Sequence, residues 1–155
     1  MLPTESWIFT SPCLIELQSL PGKLINPEDL PPRSNLSADV DLLLIRTGFE
    51  KYRDDDIYWA NAPGLSPSLA ALLKGHFPTL RAIGIDFLSI SSPAHSEEGR
   101  QSHREFLGRD ILIFEDMSLV EIGPSERLSQ VIALPLRFAN ADGAPCSILA
   151  WVNGK

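Results

Sequence analysis

The apolar and polar stretches alternate along the chain and divide it into short elements. "SPCLIEL" (11–17) is brief and apolar and predicts a strand. "PGKLINPEDLPPRSNL" (21–36) carries four prolines and predicts a connection, with one helical turn at "NPEDL". "DVDLLLIRTGF" (39–49) is a continuous apolar run, the pattern of a strand buried on both faces. "EKYRDDDIYWANAPG" (50–64) is polar and aromatic and predicts a surface loop, with Asp54–Asp56 as a solvated face. In "SPSLAALLKGHF" (66–77), Leu65, Leu69, Leu72 and Leu73 recur at helical spacing, with Ser66 as the expected cap and Pro67 at the first helical position.

"TLRAIGIDFLSIS" (79–91) predicts the next strand, with Gly84 allowing close packing or a bend. "SEEGRQSHREFLG" (96–108) predicts a polar helix stopped at Gly108, and "DILIFEDM" (110–117) a strand. "PSERLS" (124–129) predicts about one helical turn. "QVIALPLRFA" (130–139) predicts a strand whose Pro135 demands an edge or a bulge. "NADGAP" (140–145) is a turn by composition, and "CSILAWV" (146–152) closes a hairpin as the last strand. About six strands and two or three short helices predict one mixed α/β or α+β domain over residues 1–155, built on a mixed sheet.

Composition narrows the function classes. A 44% hydrophobic fraction supports a real core, and a net charge of −7 disfavours a phosphate backbone as partner. The two cysteines, Cys13 and Cys146, sit in apolar strands, where inert thiols are expected, and form neither a disulfide framework nor a metal pair. The amino terminus shows no signal-peptide pattern and no stretch is long enough to span a membrane, so a reducing cytoplasm is the expected setting. Gly-x-Ser-x-Gly, Gly-x-x-x-x-Gly-Lys and Gly-x-Gly-x-x-Gly motifs are all absent.

His76 closes the apolar helix, His95 lies in a loop and His103 in the polar helix, each read singly as a surface residue. Asp86 and Glu115 interrupt apolar strand patterns. A carboxylate there carries a desolvation cost unless it is paired, reaches solvent or a backbone N–H, or binds a cation.

The segments together resemble the cyclase family of metal-dependent hydrolases, whose best-known members are bacterial kynurenine formamidases (arylformamidases). "LLLIRTGF", "PGLSPSLAALL", "AIGIDFLSIS", "SHREFLGRDILIFEDM" and "ALPLRFANADGAPCSILAW" match in order, and the family's interval of twelve residues between a histidine and a glutamate is kept by His103 and Glu115. The resemblance implies a swivelling β/β/α fold, dimers or tetramers, and a zinc or manganese ion that activates water against an amide, ester or lactam carbonyl of a small molecule. It makes Glu115 a metal-site carboxylate and His103 a ligand or proton-transfer residue, with Asp86 and Ser89 shaping or supporting the site. The family's His-x-Gly-Thr-His-x-Asp run, which supplies most of the metal ligands, has no counterpart here, so the chain is expected to carry the C-terminal part of the fold. Phe87, Leu88, Cys146 and Ser147 also depart from common family residues and imply a different substrate subgroup. Three readings stay open: a hydrolase whose site is incomplete as written and weakly active or inactive alone; a relative without catalysis that serves as a binding or oligomerisation module; and an unrelated α/β domain.

Overall fold

The computed structural model describes residues 3–32, 36–123, 126–139 and 141–153. Four strands form a parallel sheet in the order β2 (Pro12–Glu16), β4 (Leu42–Arg46), β6 (Ala82–Ile85) and β7 (Leu112–Phe114). The "LLLI" run explains why β4 is central. Leu43 and Ile45 point to one face and Leu42 and Leu44 to the other, and all four are at most 1% exposed. Two helices, α2 (Ser68–His76) and α3 (Ser96–Leu107), cover the first face through Leu69, Leu73 and Phe106. Each buried side chain of this size contributes about 1.5–3 kcal/mol. A second, antiparallel sheet covers the other face in the order β1 (Ile8–Phe9), β8 (Arg127–Pro135), β9 (Cys146–Asn153), through Phe9, Val131 and Ala133. A short parallel pair, β3 (Leu24–Ile25) with β5 (Gly64–Leu65), completes the strands. The result is the expected mixed α/β architecture, layered sheet on sheet on helices.

Several boundaries differ from the sequence expectation. The stretch 50–64 is not a bare loop: a 3-10 turn (Phe49–Tyr52), helix α1 (Asp56–Ala60) and β5 occupy it, and Tyr58 is fully buried. The Asp54–Asp56 run is exposed, as read. Ser66 does not cap α2 with its side chain, because its hydroxyl pairs with that of Ser68 instead. In the expected helical turn at 124–129, Pro124 and Ser125 lie outside the described residues, and Arg127–Ser129 already belong to β8. The hairpin forms, with Pro135 opposite Cys146 at its end and a register shift between Leu128 and Gln130. β1 reaches only Val131 and Ile132, so the missing N–H of Pro135 costs no ladder bond on that side. Among the described residues no helix is long and apolar enough to cross a membrane.

Tyr58 gives the fold a pH dependence. Burial pushes its phenol far above the ordinary value of 10.0, and the hydrogen bond to Asp116 adds to the shift. An acid raised in the folded state stabilises the fold below its unfolded value and loses that contribution as pH climbs through its folded value. Stability is therefore expected to fall above about pH 10. Phenolate absorbance followed beside circular dichroism should show Tyr58 ionising only as the chain unfolds. Its ionisation in a still-folded chain would contradict the burial.

Candidate functional site

Asp86 and Glu115 are not strand residues. β6 ends at Ile85 and β7 at Phe114, so both acids stand just past the carboxyl ends of neighbouring parallel strands, where α/β sheets commonly bind ligands. The two then part company. Asp86 is fully buried, and its carboxylate accepts from Thr47 N (2.9 Å), Thr47 Oγ1 (2.7 Å) and Gly48 N (2.6 Å). Gly48 adopts φ 72° there, a left-handed conformation suited to glycine. Burial pushes the Asp86 carboxyl up, while the Thr47 and Gly48 donors oppose that shift. The residue ties the end of β6 to the turn after β4, and it does not line the cleft described below.

Glu115 is about one-third exposed. Its Oε1 accepts from Ser89 Oγ (2.8 Å) and from the Ile90 backbone N (2.9 Å). His103 reaches the same atom from α3, with Nε2 at 3.4 Å. The sequence-predicted residues His103, Glu115 and Ser89 are thus brought together, and Asp86 stands apart as a scaffold. His76 packs edge-on against Phe77, and His95 lies 3.9 Å from Glu98, so neither joins them.

The histidine's tautomer follows from its partners. Nδ1 lies 3.0 Å from the Gly99 carbonyl oxygen, which can only accept, so Nδ1 carries a proton. Ser91 Oγ, 3.2 Å away, shares that contact. Nε2 is left facing a carboxylate oxygen. A neutral imidazole would oppose lone pair to lone pair there, so the geometry calls for a proton on Nε2 or a cation beside both atoms.

A second cluster holds the segment that carries Glu115. Asp116 adopts φ 53°, unusual for a residue with a side chain. Its carboxylate accepts from Arg53 Nε (3.1 Å) and from the Tyr58 hydroxyl, and its backbone N donates to Phe87 O (3.0 Å). Arg53 also donates to the carbonyls of Asp116 and Met117, at 3.2 Å each. Sequence reasoning missed Arg53, Tyr58, Ser91 and Gly99. The adjacent acids Glu115–Asp116 were a signal that one of them needs a cation, but the cation lies 63 positions away.

His103 and Glu115 open onto a cleft of about 660 Å³ between α3, β7 and the β8–β9 connection, with apolar walls from Trp7, Leu107, Phe114, Leu136 and Phe138. Cys146 also borders it. Both cysteines are half-buried rather than fully buried, and burial pushes each thiol up, away from nucleophilic character. The donor chemistry of His103 and Glu115, one imidazole nitrogen and one carboxylate, suits zinc or manganese. Among the described residues no cluster of three or more His, Cys, Asp and Glu forms, so the pair alone falls short of the three protein ligands that a catalytic zinc keeps.

No protein-family model matches the chain. An uncharacterised protein of Methanocaldococcus jannaschii is 30% identical over 129 residues, which is 83% of this chain and 62% of that protein. An uncharacterised protein of Haemophilus influenzae is 32% identical over 88 residues, 56% of this chain and 62% of that protein. The chain therefore spans less than two thirds of the curated relatives it matches. Among solved structures, isatin hydrolase A from Labrenzia aggregata, bound to benzyl benzoate, superposes with a TM-score of 0.74 at 18% identity, over 96% of this chain and 62% of that one. An isatin hydrolase bound to the product analogue thioisatinate gives 0.68 at 17% identity, over 99% and 63%. The chain has the fold of the isatin hydrolases.

Proposed function

We propose that the chain belongs to the cyclase family and is an arylformamidase-like hydrolase of a small amide, ester or lactam, dependent on a divalent metal. The observation that carries this reading is His103 Nε2 facing Glu115 Oε1 at 3.4 Å, with Nδ1 committed to a backbone carbonyl. The isatin hydrolase fold and the five ordered family segments support it. A bound zinc or manganese ion would polarise the scissile carbonyl and activate water. The protein's own part is positional. Ser89 and Ile90 fix Oε1 of Glu115, and Oε2, which has no protein partner among the described residues, is left for the cation. His103 offers a nitrogen lone pair as ligand, or holds the proton that the leaving group needs. The aromatic walls of the cleft, Trp7, Phe114 and Phe138, suit a planar aryl substrate. Two free cysteines are consistent with a reducing, cytoplasmic setting.

Incubation with isatin and with an aryl formamide, with and without added Mn²⁺ or Zn²⁺, tests the reading. Metal-stimulated hydrolysis is expected, falling more than about 100-fold in Glu115→Gln, beyond the usual cost of losing an outer-shell partner. Hydrolysis that ignores the metal and the substitution would overturn it. The count of two donors favours a second reading, a cyclase-like module without catalysis. Metal binding without turnover would select that one.

A further inference from the structure

We infer that Arg53 is a positioning residue: by holding Asp116 in its left-handed conformation, it turns the preceding side chain, Glu115, onto His103. The geometry stands on its own contacts, and its use in hydrolysis rests on the proposed function.

Strand alternation brings Glu115 only part of the way. Ile113 packs toward the helix-covered face and Phe114 toward the other sheet, so Glu115 belongs on the face where α3 carries His103. The last ladder pair of β7 is Gly84–Phe114, so the regular ladder ends one residue before Glu115. The chain then turns back. Asp116 N donates to Phe87 O (3.0 Å) and Met117 N to Ile85 O (2.9 Å), so successive amides step back toward β6. Met117 ends over Gly84, where an added Cβ would lie 2.5 Å from its sulfur. The reversal is made at Asp116, with φ 53°. That conformation is sterically costly for a residue with a Cβ. It persists only where neighbours fix it, and such residues cluster at functional sites.

Arg53 supplies the fixing contacts. Its Nε (3.1 Å) and Nη2 (2.9 Å) both donate to Asp116 Oδ1, and Nη2 also reaches the carbonyl oxygens of Asp116 and Met117, at 3.2 Å each. Asp116 is about half exposed, and an exposed ion pair by itself contributes little. Here the guanidinium does more than pair charges. Its planar fork joins a side chain to two successive carbonyls, and so fixes the backbone between them, which a lysine ammonium is poorly shaped to do. Tyr58 steadies both partners: its hydroxyl donates to Asp116 Oδ1, and its ring centre lies 5.7 Å from Arg53 Cζ. Two further residues of the segment after β4 hold the same loop farther on. Glu50 accepts from Leu119 N (3.0 Å) and Arg46 donates to Leu119 O (3.0 Å). Neither contact involves Asp116, so Glu50 serves as a control for loosening the loop without releasing the turn.

Nuclear Overhauser contacts between the His103 ring and the Glu115 side chain, measured on the metal-free chain, read the geometry, and Mn²⁺ binding reads its use. Arg53→Met keeps the aliphatic stem and removes the fork. Circular dichroism should stay native while the contacts are lost and Mn²⁺ affinity falls about 10–100-fold, the range for an outer-shell partner. Arg53→Lys, which keeps the charge, should recover only part of both. Glu50→Met should lower stability but leave the contacts and the affinity as in the unaltered chain. If Arg53→Met does not fold, Arg53→Lys and Glu50→Met decide: contacts weakened in the first alone support the positioning role. Contacts that persist undiminished in a folded Arg53 variant would overturn it, as would equal weakening in Glu50→Met or their absence from the unaltered chain. A chain that shows the contacts, loses them in Arg53→Met and binds no Mn²⁺ would uphold the role of Arg53 and overturn the metal reading alone.

Discussion

Asp86→Asn is expected to destabilise the fold by about 2–4 kcal/mol, the cost of leaving buried donors unpaired. Both carboxylate oxygens are in use. Thr47 N, Thr47 Oγ1 and Gly48 N all donate to them in a site with no exposure to water. Asparagine supplies one acceptor and turns an N–H₂ group toward a backbone N–H. At least one donor is then orphaned and another meets a like dipole. The Thr47–Gly48 turn leads into Phe49 and the segment carrying Arg53, so the loss also loosens the clamp on Asp116. Urea unfolding followed by circular dichroism measures the effect. A change below about 1 kcal/mol, an ordinary surface value, would show that Asp86 does not hold β6 to the turn after β4.

Gly99→Ala is the second large effect, and it joins packing to the site. A Cβ at Gly99 would lie 2.6 Å from Ser91 Cβ and 2.8 Å from Ser91 Cα, closer than real side chains approach. The helix and the 89–92 segment must separate. That segment fixes Glu115 through Ser89 and Ile90, and His103 sits one turn further along α3, bonded to the Gly99 carbonyl. Over-packing of this kind costs about 1–3 kcal/mol. If the proposed metal site is right, the loss of metal affinity should exceed what the loss of stability explains, because His103 and Glu115 ride on the two parts being pushed apart. Gly75→Ala is the matched control. Nothing lies within 4 Å of the Cβ it would add on α2, so the change should be neutral or stabilising by about 0.5–1 kcal/mol. If Gly99→Ala proves as benign as Gly75→Ala, the close approach of α3 to Ser91 is not what brings His103 to Glu115.

The central parallel sheet and its helices were legible because their patterns have a single reading. "LLLI" fits a strand buried on both faces, and the leucine spacing at 65–73 fits α2. The family resemblance, through its histidine-to-glutamate interval, pointed at His103 and Glu115, a pair that the structure sets 3.4 Å apart. What was not legible depended on distant partners. "GIDFLSIS" and "LIFEDM" keep an apolar pattern past the true strand ends, and those ends are set by Asp86 turning to Thr47 and by the left-handed Asp116. Tyr58 sits in a polar, acidic stretch, so nothing local marks it as fully buried. Its burial depends on Phe49, stacked at 5.9 Å, and on Asp116 from another element. Ser66 has the composition of a cap, yet the neighbouring hydroxyl of Ser68 takes its bond. The start of β8 was hidden because its lead, Arg127–Leu128, is short and is held as strand by pairing with Asn153 and Val152, with the register shift at Ser129 breaking the pattern.

The most direct test of the metal-site reading is selective broadening of histidine ring resonances by Mn²⁺ in the nuclear magnetic resonance spectrum. The chain has three histidines, so each ring can be followed. His103 should broaden at lower Mn²⁺ than His76 or His95, and in Glu115→Gln that selectivity should vanish. Broadening of all three rings together, or a His103 signal indifferent to the ion, would contradict the assignment of His103 and Glu115 as part of a metal site.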